Sequence, residues 1–265
     1  MIRSASIHGI LPIAIAAFAW HLCVSAQVEH KSTNRDRPMR AAASCYDEST
    51  GRLIGSNRSR TSVLISPDGR YRAYAESEAV ASQATTGAEC QNTSRLFVAG
   101  PKSQKFRPVL VVEPSPEALG NSIDLVDWSP NGHRLLLAQG FWQWGSDVGG
   151  MMVRIYDAES ENLSRKFLVD EAFSRYVGKK CVGVFHPVGF SSSGKVIVTA
   201  GPFFDVGEDE PVEDSCVQKE GFWLIDSVIP AVSQLPDNYK VWHYSKDAPG
   251  IVQKSSVANG RANSR

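Results

Sequence analysis

Three segments of the chain share one pattern at a nearly constant spacing: "VLISPDGRYRAYAES" from Val63, "LVDWSPNGHRLLLAQG" from Leu125 and "PVGFSSSGKVIVTAG" from Pro187. Each is a short apolar run, then Ser, two turn residues and Gly, then a second apolar run. Gly69, Gly132 and Gly194 lie 63 and 62 residues apart, a period that marks an array of similar supersecondary units. The middle of the first two copies is turn chemistry. Pro67 and Pro130 pre-set φ, Asp68 and Asn131 tolerate left-handed geometry, and the glycine accepts positive φ. The third copy, Ser191-Ser192-Ser193-Gly194, keeps only the glycine and is the weakest.

Two further strand candidates follow each hairpin: Arg95–Gly100 and Arg107–Glu113, then Met152–Ser160 and Arg165–Glu171, then Gly221–Val228 with a poor fourth around Ala231–Leu235. β-branched and aromatic residues with short turns favour strands, and no sustained helical period stands out. The expected fold is therefore all-β: a β-propeller-like array of four-stranded antiparallel blades. The piece Ser44–Ser56 reads as another hairpin, and its "CYDESTGRLI" parallels "IYDAESENLS" from Ile155. Joined to a strand at Tyr239–Ser245 it would make a composite terminal blade and close a small four-bladed ring, removing its edges. An irregular β-sandwich is the competing architecture.

The stretches "SPDGRYRAYA" and "DWSPNGHRLLLA" resemble the short repeats of the Tol-Pal periplasmic propeller family, a WD-type arrangement. They are also similar to the propeller domains of prolyl-oligopeptidase-type peptidases. The resemblance covers about 170 residues, Val63 to Leu235. It implies a propeller that works through protein–protein contacts outside the cytoplasm. The peptidases carry their catalytic serine in a separate hydrolase domain, for which this sequence has no stretch to spare.

The first 26 residues read as a signal peptide: Arg3, an apolar core from Ile10 to Val24, and small residues at "VSA". The domain reading is then 1–26 signal peptide, 27–43 a polar flexible segment, 44–245 the propeller-like domain, and 246–265 a flexible tail. The expected location is secreted or periplasmic, with no stable membrane span. The mature part is nearly neutral, without the basic patch a nucleic-acid partner needs. Its four cysteines, Cys45, Cys90, Cys181 and Cys216, suit disulfides in an exported chain, with three connectivities open. Placed on the meanders, Cys90 and Cys216 fall in second-to-third-strand loops, Cys181 in the connection into the third unit and Cys45 just before the N-terminal third-strand candidate. All four thus lie at one end, which favours Cys45–Cys90 and Cys181–Cys216. Glycosylation sequons start at Asn57, Asn92 and Asn162.

The same end carries the binding candidates. "GFWQWGSDVGG" (Gly140–Gly150) and "GPFFDVG" (Gly201–Gly207) sit at nearly the same offset in their units. Phe141, Trp142, Trp144, Phe203 and Phe204 could form an aromatic rim for a peptide, a sugar or another protein; packing between sheets is the alternative use for such rings. The acidic run from Asp205 to Ser215 reads as a solvated loop, not a metal site. No G-x-S-x-G nucleophile motif, P-loop or H-E-x-x-H pair is present, and no cofactor is implied. The sequence is thus read as a non-catalytic interaction protein with an unidentified protein partner. The other readings are a glycan- or small-ligand-binding module and a hydrolase or lyase with an active site dispersed over loops.

Overall fold

The computed structural model describes residues 39–47, 49–84, 87–116, 118–143, 149–164, 168–177, 182–204, 220–229, 231–236, 239–245 and 248–253. Strand dominates, in antiparallel sheets whose strands follow the chain. β1 is Met39–Ala41, β2 Asn57–Arg60, β3 Leu64–Ile65, β4 Arg72–Ala84, β5 Gly87–Gly100 and β6 Ser103–Val112. β7 is Gly120–Trp128, β8 Arg134–Trp142, β9 Gly149–Asp157 and β10 Asn162–Leu163. After helix α1 (Leu168–Val177) come β11 Val182–Phe190, β12 Val196–Phe204, β13 Gly221–Asp226 and β14 Ala231–Gln234. β15 (Tyr239–Ser245) and β16 (Ala248–Gln253) close the described chain.

Each repeat seen in the sequence is one four-stranded meander. The first sheet runs β2-β4-β5-β6, with β3 continuing the line of β2 along β4; the second runs β7-β8-β9-β10; the third runs β11-β12-β13-β14. β1 adds to the free edge of β7, Arg40 opposite Asp124. The expected composite unit is not formed among the described residues. The Ser44–Ser56 hairpin comes down to one bridge, Tyr46 to Leu53, while β15 pairs with β16, inside the segment read as a tail. The described sheets do not close into a ring.

Inward residues alternate along β4 and β5, while β8 is buried on both faces through Leu135, Leu136 and Leu137, and together they fill two seams. Ala73, Ala75, Leu96 and Val98 of the first sheet pack on Ile123, Leu125, Leu137 and Tyr156 of the second. The opposite face of the second sheet, through Leu136, Val153 and Ile155, packs on Phe185, Val198 and Trp223 of the third. Burial at roughly 25 cal/mol per Å2 of apolar surface drives this stacking.

Three expectations are corrected. The strand expected at Arg165–Glu171 is largely helix: Leu168, Val169, Ala172 and Phe173 are buried at i, i+1, i+4 and i+5, a helical stripe in which the short run "FLV" mimics a strand. Phe173 sits 4.6 Å from Phe185 and 5.6 Å from Trp223, ring centre to ring centre, and the fourth strand of that sheet is β10 instead. Cys90, expected in a loop, lies within β5, because β4 and β5 stay paired from Arg72 opposite Ala99 to Ala84 opposite Gly87. Met39–Ala43, in the segment read as flexible, contributes β1 and buries Ala41 and Ala43.

Candidate functional site

At one end of the sheets the conserved features of the repeat are absorbed by structure. Ser66, Ser129 and Ser191 are buried and play one part in all three turns. The Ser66 and Ser129 hydroxyls donate to Asp68 and Asn131 at 2.6 Å, and Ser191 meets Ser193 at 3.0 Å. Each accepts the N–H that opens the next strand, from Tyr71, Arg134 and Lys195, at 2.9–3.0 Å. The third turn is one residue shorter in that closure, yet it makes the same bonds. Gly69, Gly132 and Gly194 all have φ between 72° and 77°. A Cβ on Gly132 would also lie 2.6 Å from Asp68, and one on Gly194 2.8 Å from Arg134, so the periodic glycines let successive turns touch.

Those turns are tied side to side. Arg70 meets His133, whose Nδ1 is 2.8 Å from Glu159. Arg134 donates to the Gly194 carbonyl at 2.7 Å and to Ser227 at 2.8 Å, at the rim of a cleft of about 350 Å3 that Asp157, Asn162 and Leu168 also line. In the β9–β10 and β13–β14 turns, and in the turn beside the Tyr46–Leu53 bridge, Asp157, Asp226 and Asp47 each accept backbone N–H groups two and three residues on. The parallel between "CYDEST" and "IYDAES" is this Asp turn, and "LIDSVI" is a third instance.

The opposite end has polar groups without such a purpose. Phe141 and Trp142 end β8. Being adjacent on a strand they leave from opposite faces, so they do not form one rim. Each is half-buried over a glycine of a neighbouring strand: the Trp142 indole fills the space above Gly120, and the Phe141 ring that above Gly150. Packing against the sheet is thus part of what both rings do. Phe203 and Phe204 pair through their backbones with Gly183 and Val182 at the end of β12. Trp144, Cys181, Cys216 and the acidic run lie outside the described residues. Cys45 and Cys90 form a disulfide, Cα atoms 5.6 Å apart, buried beside Ala43 and Ala79.

On the face that Trp142 shares, β7 presents Gly120, Ser122 and Asp124. The Ser122 hydroxyl is buried over Gly140 and, like Asp124 Oδ1, has no hydrogen-bond partner. Burial pushes the Asp124 carboxyl up to about 6 against the pull of Arg40, whose Nε is 3.6 Å away. The Arg40 guanidinium carbon also lies 5.9 Å from the centre of the Trp142 ring. Trp142 was legible as a candidate. Arg40, Ser122 and Asp124 were not, although a carboxylate inside the apolar alternation of "SIDLVDW" is a signal that could have been weighed.

A second surface escaped the sequence reading. The face of the first sheet turned away from the second carries Tyr74 stacked on Phe97 at 4.7 Å and edge-on to Phe106 at 4.8 Å. Arg60 lies 3.7 Å over Tyr74 and Arg72 lies 5.3 Å over Phe106. Arg58, Glu76, Glu78 and Arg95 form a charge ladder beside them, and Ile65, Val80 and Val111 are exposed on the same face.

No family model matches the chain, and no curated protein matches it either. Among solved structures it is similar to the apo form of the AtxE2 isopeptidase, at 15% identity and a TM-score of 0.37, over 78% of this chain and 35% of that one. A variant of the same enzyme with Astexin3-dC4 bound gives 15% identity and a TM-score of 0.36, over 72% and 35%. The chain spans about a third of the length of those proteins. Among the described residues, no helix is long and apolar enough to cross a membrane.

Proposed function

We propose that this chain is an exported, non-catalytic repeat protein of propeller-like blades that acts by binding another protein. The observation that supports this best is the outward face of the first sheet. Half-exposed Tyr74, Phe97 and Phe106, laced with Arg60 and Arg72, have the aromatic and arginine composition of interface hot spots. The meanders in series, each latched to the next through its Ser-x-x-Gly turn, support the blade reading. The resemblance of the repeats to the Tol-Pal propellers supports an extracytoplasmic partner, by analogy at the level of fold.

The test is affinity capture from the extracytoplasmic fraction of the native cell, with the wild type beside an Arg60→Ala/Tyr74→Ala variant of unchanged circular dichroism. A protein held by the wild type and lost by the variant is the expected result. Equal recovery by both baits would overturn this face as the interface. A glycan- or small-ligand-binding module is the second reading, favoured by half-buried Trp142 beside the unpartnered Ser122 hydroxyl. It would show as a saturable change in tryptophan fluorescence with a sugar, lost in Trp142→Ala.

A further inference from the structure

The outward face of the first sheet departs from the repeat at the positions where the other two sheets pack. The N–H that opens the second strand of each unit comes from Tyr71, Arg134 and Lys195, which sets the three units in register. One residue on stand Arg72, Leu135 and Val196; three residues on stand Tyr74, Leu137 and Val198. Leu135 and Leu137 are buried in the seam with the first sheet, and Val196 and Val198 in the seam with the second. A sheet therefore uses these positions to pack on the sheet before it. In the first sheet they carry an arginine and a tyrosine, and the face is open, with Ile65, Val80 and Val111 exposed on it.

Charge is unevenly balanced there. Arg58 lies 3.7 Å from both Glu76 and Glu78, and Arg95 lies 3.4 Å from Glu78. Arg60 and Arg72 have no carboxylate partner among the described residues. Arg60 rests over the Tyr74 ring and Arg72 over that of Phe106, and Arg72 donates to the Gln104 carbonyl and amide oxygens at 3.0 and 2.8 Å. An aromatic face holds a guanidinium flat and strips part of its water while leaving its N–H edge free to bind. That edge fits a carboxylate, which it meets through two parallel hydrogen bonds. A further apolar sheet laid here would bury both guanidiniums without a counter-charge, which is unfavourable. An occupant that brings its own carboxylates removes that penalty.

We propose that the outward face of the first sheet receives an acidic segment of a partner protein, its carboxylates engaging Arg60 and Arg72 and an apolar side chain lying on Tyr74, Phe97 and Phe106. This assignment rests on the same interface as the proposed function and specifies the chemistry of its ligand. Tyr74 stacks on Phe97 and meets Phe106 edge-on, so the rings form one cluster with an uncompensated guanidinium over Tyr74 and another over Phe106. A segment that is wholly apolar, or basic, does not suit it. Acids flanking an apolar residue do.

The test is a fluorescence-anisotropy titration of the full, disulfide-bonded chain with a labelled peptide Asp-Glu-Leu-Phe-Asp-Glu and its amide counterpart Asn-Gln-Leu-Phe-Asn-Gln. The wild type should bind the acidic peptide saturably, and the amide peptide at least about tenfold more weakly. Arg60→Gln/Arg72→Gln should weaken the acidic peptide about tenfold and leave the amide peptide unchanged. Arg58→Gln/Arg95→Gln, which removes two cations already neutralised, should stay within about twofold of the wild type. Added sodium chloride should weaken the wild type and spare Arg60→Gln/Arg72→Gln. No saturable binding of the acidic peptide, equal binding of the two peptides, or equal losses in the two arginine pairs would overturn the proposal; equal losses would mean net charge and not these two side chains. Capture separates the ligand from the interface. A protein lost from the Arg60→Ala/Tyr74→Ala bait yet retained by Arg60→Gln/Arg72→Gln keeps the interface and overturns its acidic ligand. A protein lost from both baits and displaced from the wild type by the acidic peptide supports both.

Discussion

At the scale of single residues, two aspartates on neighbouring repeats are driven in opposite directions by their surroundings. Burial raises Asp124 from 3.8 to about 6. The folded chain therefore holds a proton that the unfolded chain has released. Stability from this group is full below about pH 4 and lost as pH rises through about 6, an amount of about 2–3 kcal/mol. Asp68 is lowered to about 2, desolvation opposing and the bonds from Ser66 and Arg70 prevailing. Its stabilisation is present above about pH 4 and lost as pH falls toward about 2. Denaturant titrations from about pH 2 to pH 8 should thus show greatest stability near pH 4, with the decline between about pH 4 and 6 flattened in Asp124→Asn. A decline unchanged by that substitution would assign it to other groups. The two residues also differ in legibility. Asp68 declares itself in a Ser-Pro-Asp-Gly turn, whereas Asp124 looks like any polar residue of a strand until the fold buries it beside Arg40.

At the scale of elements, the three turns are one device written in three spellings. Ser191-Ser192-Ser193-Gly194 has neither the proline nor the Asx residue of its counterparts. It still closes through Ser191 and a glycine at φ 77°, because the geometry needs only a hydroxyl at the first position and a permissive backbone at the fourth. Ser129→Ala and Ser191→Ala should each destabilise by about 1–3 kcal/mol, the consequence of leaving a buried strand-opening N–H unpaired. Urea unfolding of both variants checks this; a silent Ser191→Ala would mean that the third turn is held by something else. The elements misread in the sequence share a physical cause. Helix α1 reads as strand in the sequence because its visible apolar run is shorter than one helical repeat, and its stripe becomes plain only with Ala172 and Phe173 included. The middle of β5 reads as loop because its inward residues are Cys90, Asn92 and Ser94. Cys90 is buried through its disulfide to Cys45, Asn92 by bonding to Ala43 and Ser77, and Ser94 by bonding to Asn121, so no apolar alternation marks the stretch.

At the scale of the whole molecule, the N-terminal strand is not a loose end but a strap across the seam between the first two sheets. It is anchored at Arg40 by β7 and at Cys45 by β5. The disulfide joins positions 45 residues apart, for which chain entropy alone gives about 4 kcal/mol. Cys45→Ala/Cys90→Ala should therefore lower the unfolding free energy by an amount of that order. It should also raise hydrogen exchange in residues 39–45 and along the β7 edge, while exchange within the third sheet stays unchanged. Uniform loss of protection across all three sheets would show that the strap holds the molecule together as a whole and not one seam of it.

Local chemistry in the chain determined the repeat, the turns that close it and the antiparallel strand order, because glycine, serine and aspartate act on backbone atoms only a few residues away and alternation shows which side of a strand is buried. It also placed Cys45 and Cys90 near one another. Tertiary structure alone decided which strand lies against β7, which buried polar groups find partners, and which aromatic residues face outward together. Those outcomes depend on residues 34 to more than 80 positions apart meeting across a seam, as Ala43 meets Ser77 and Arg40 meets Asp124. A pair potential between such distant positions leaves no periodic trace in a single sequence.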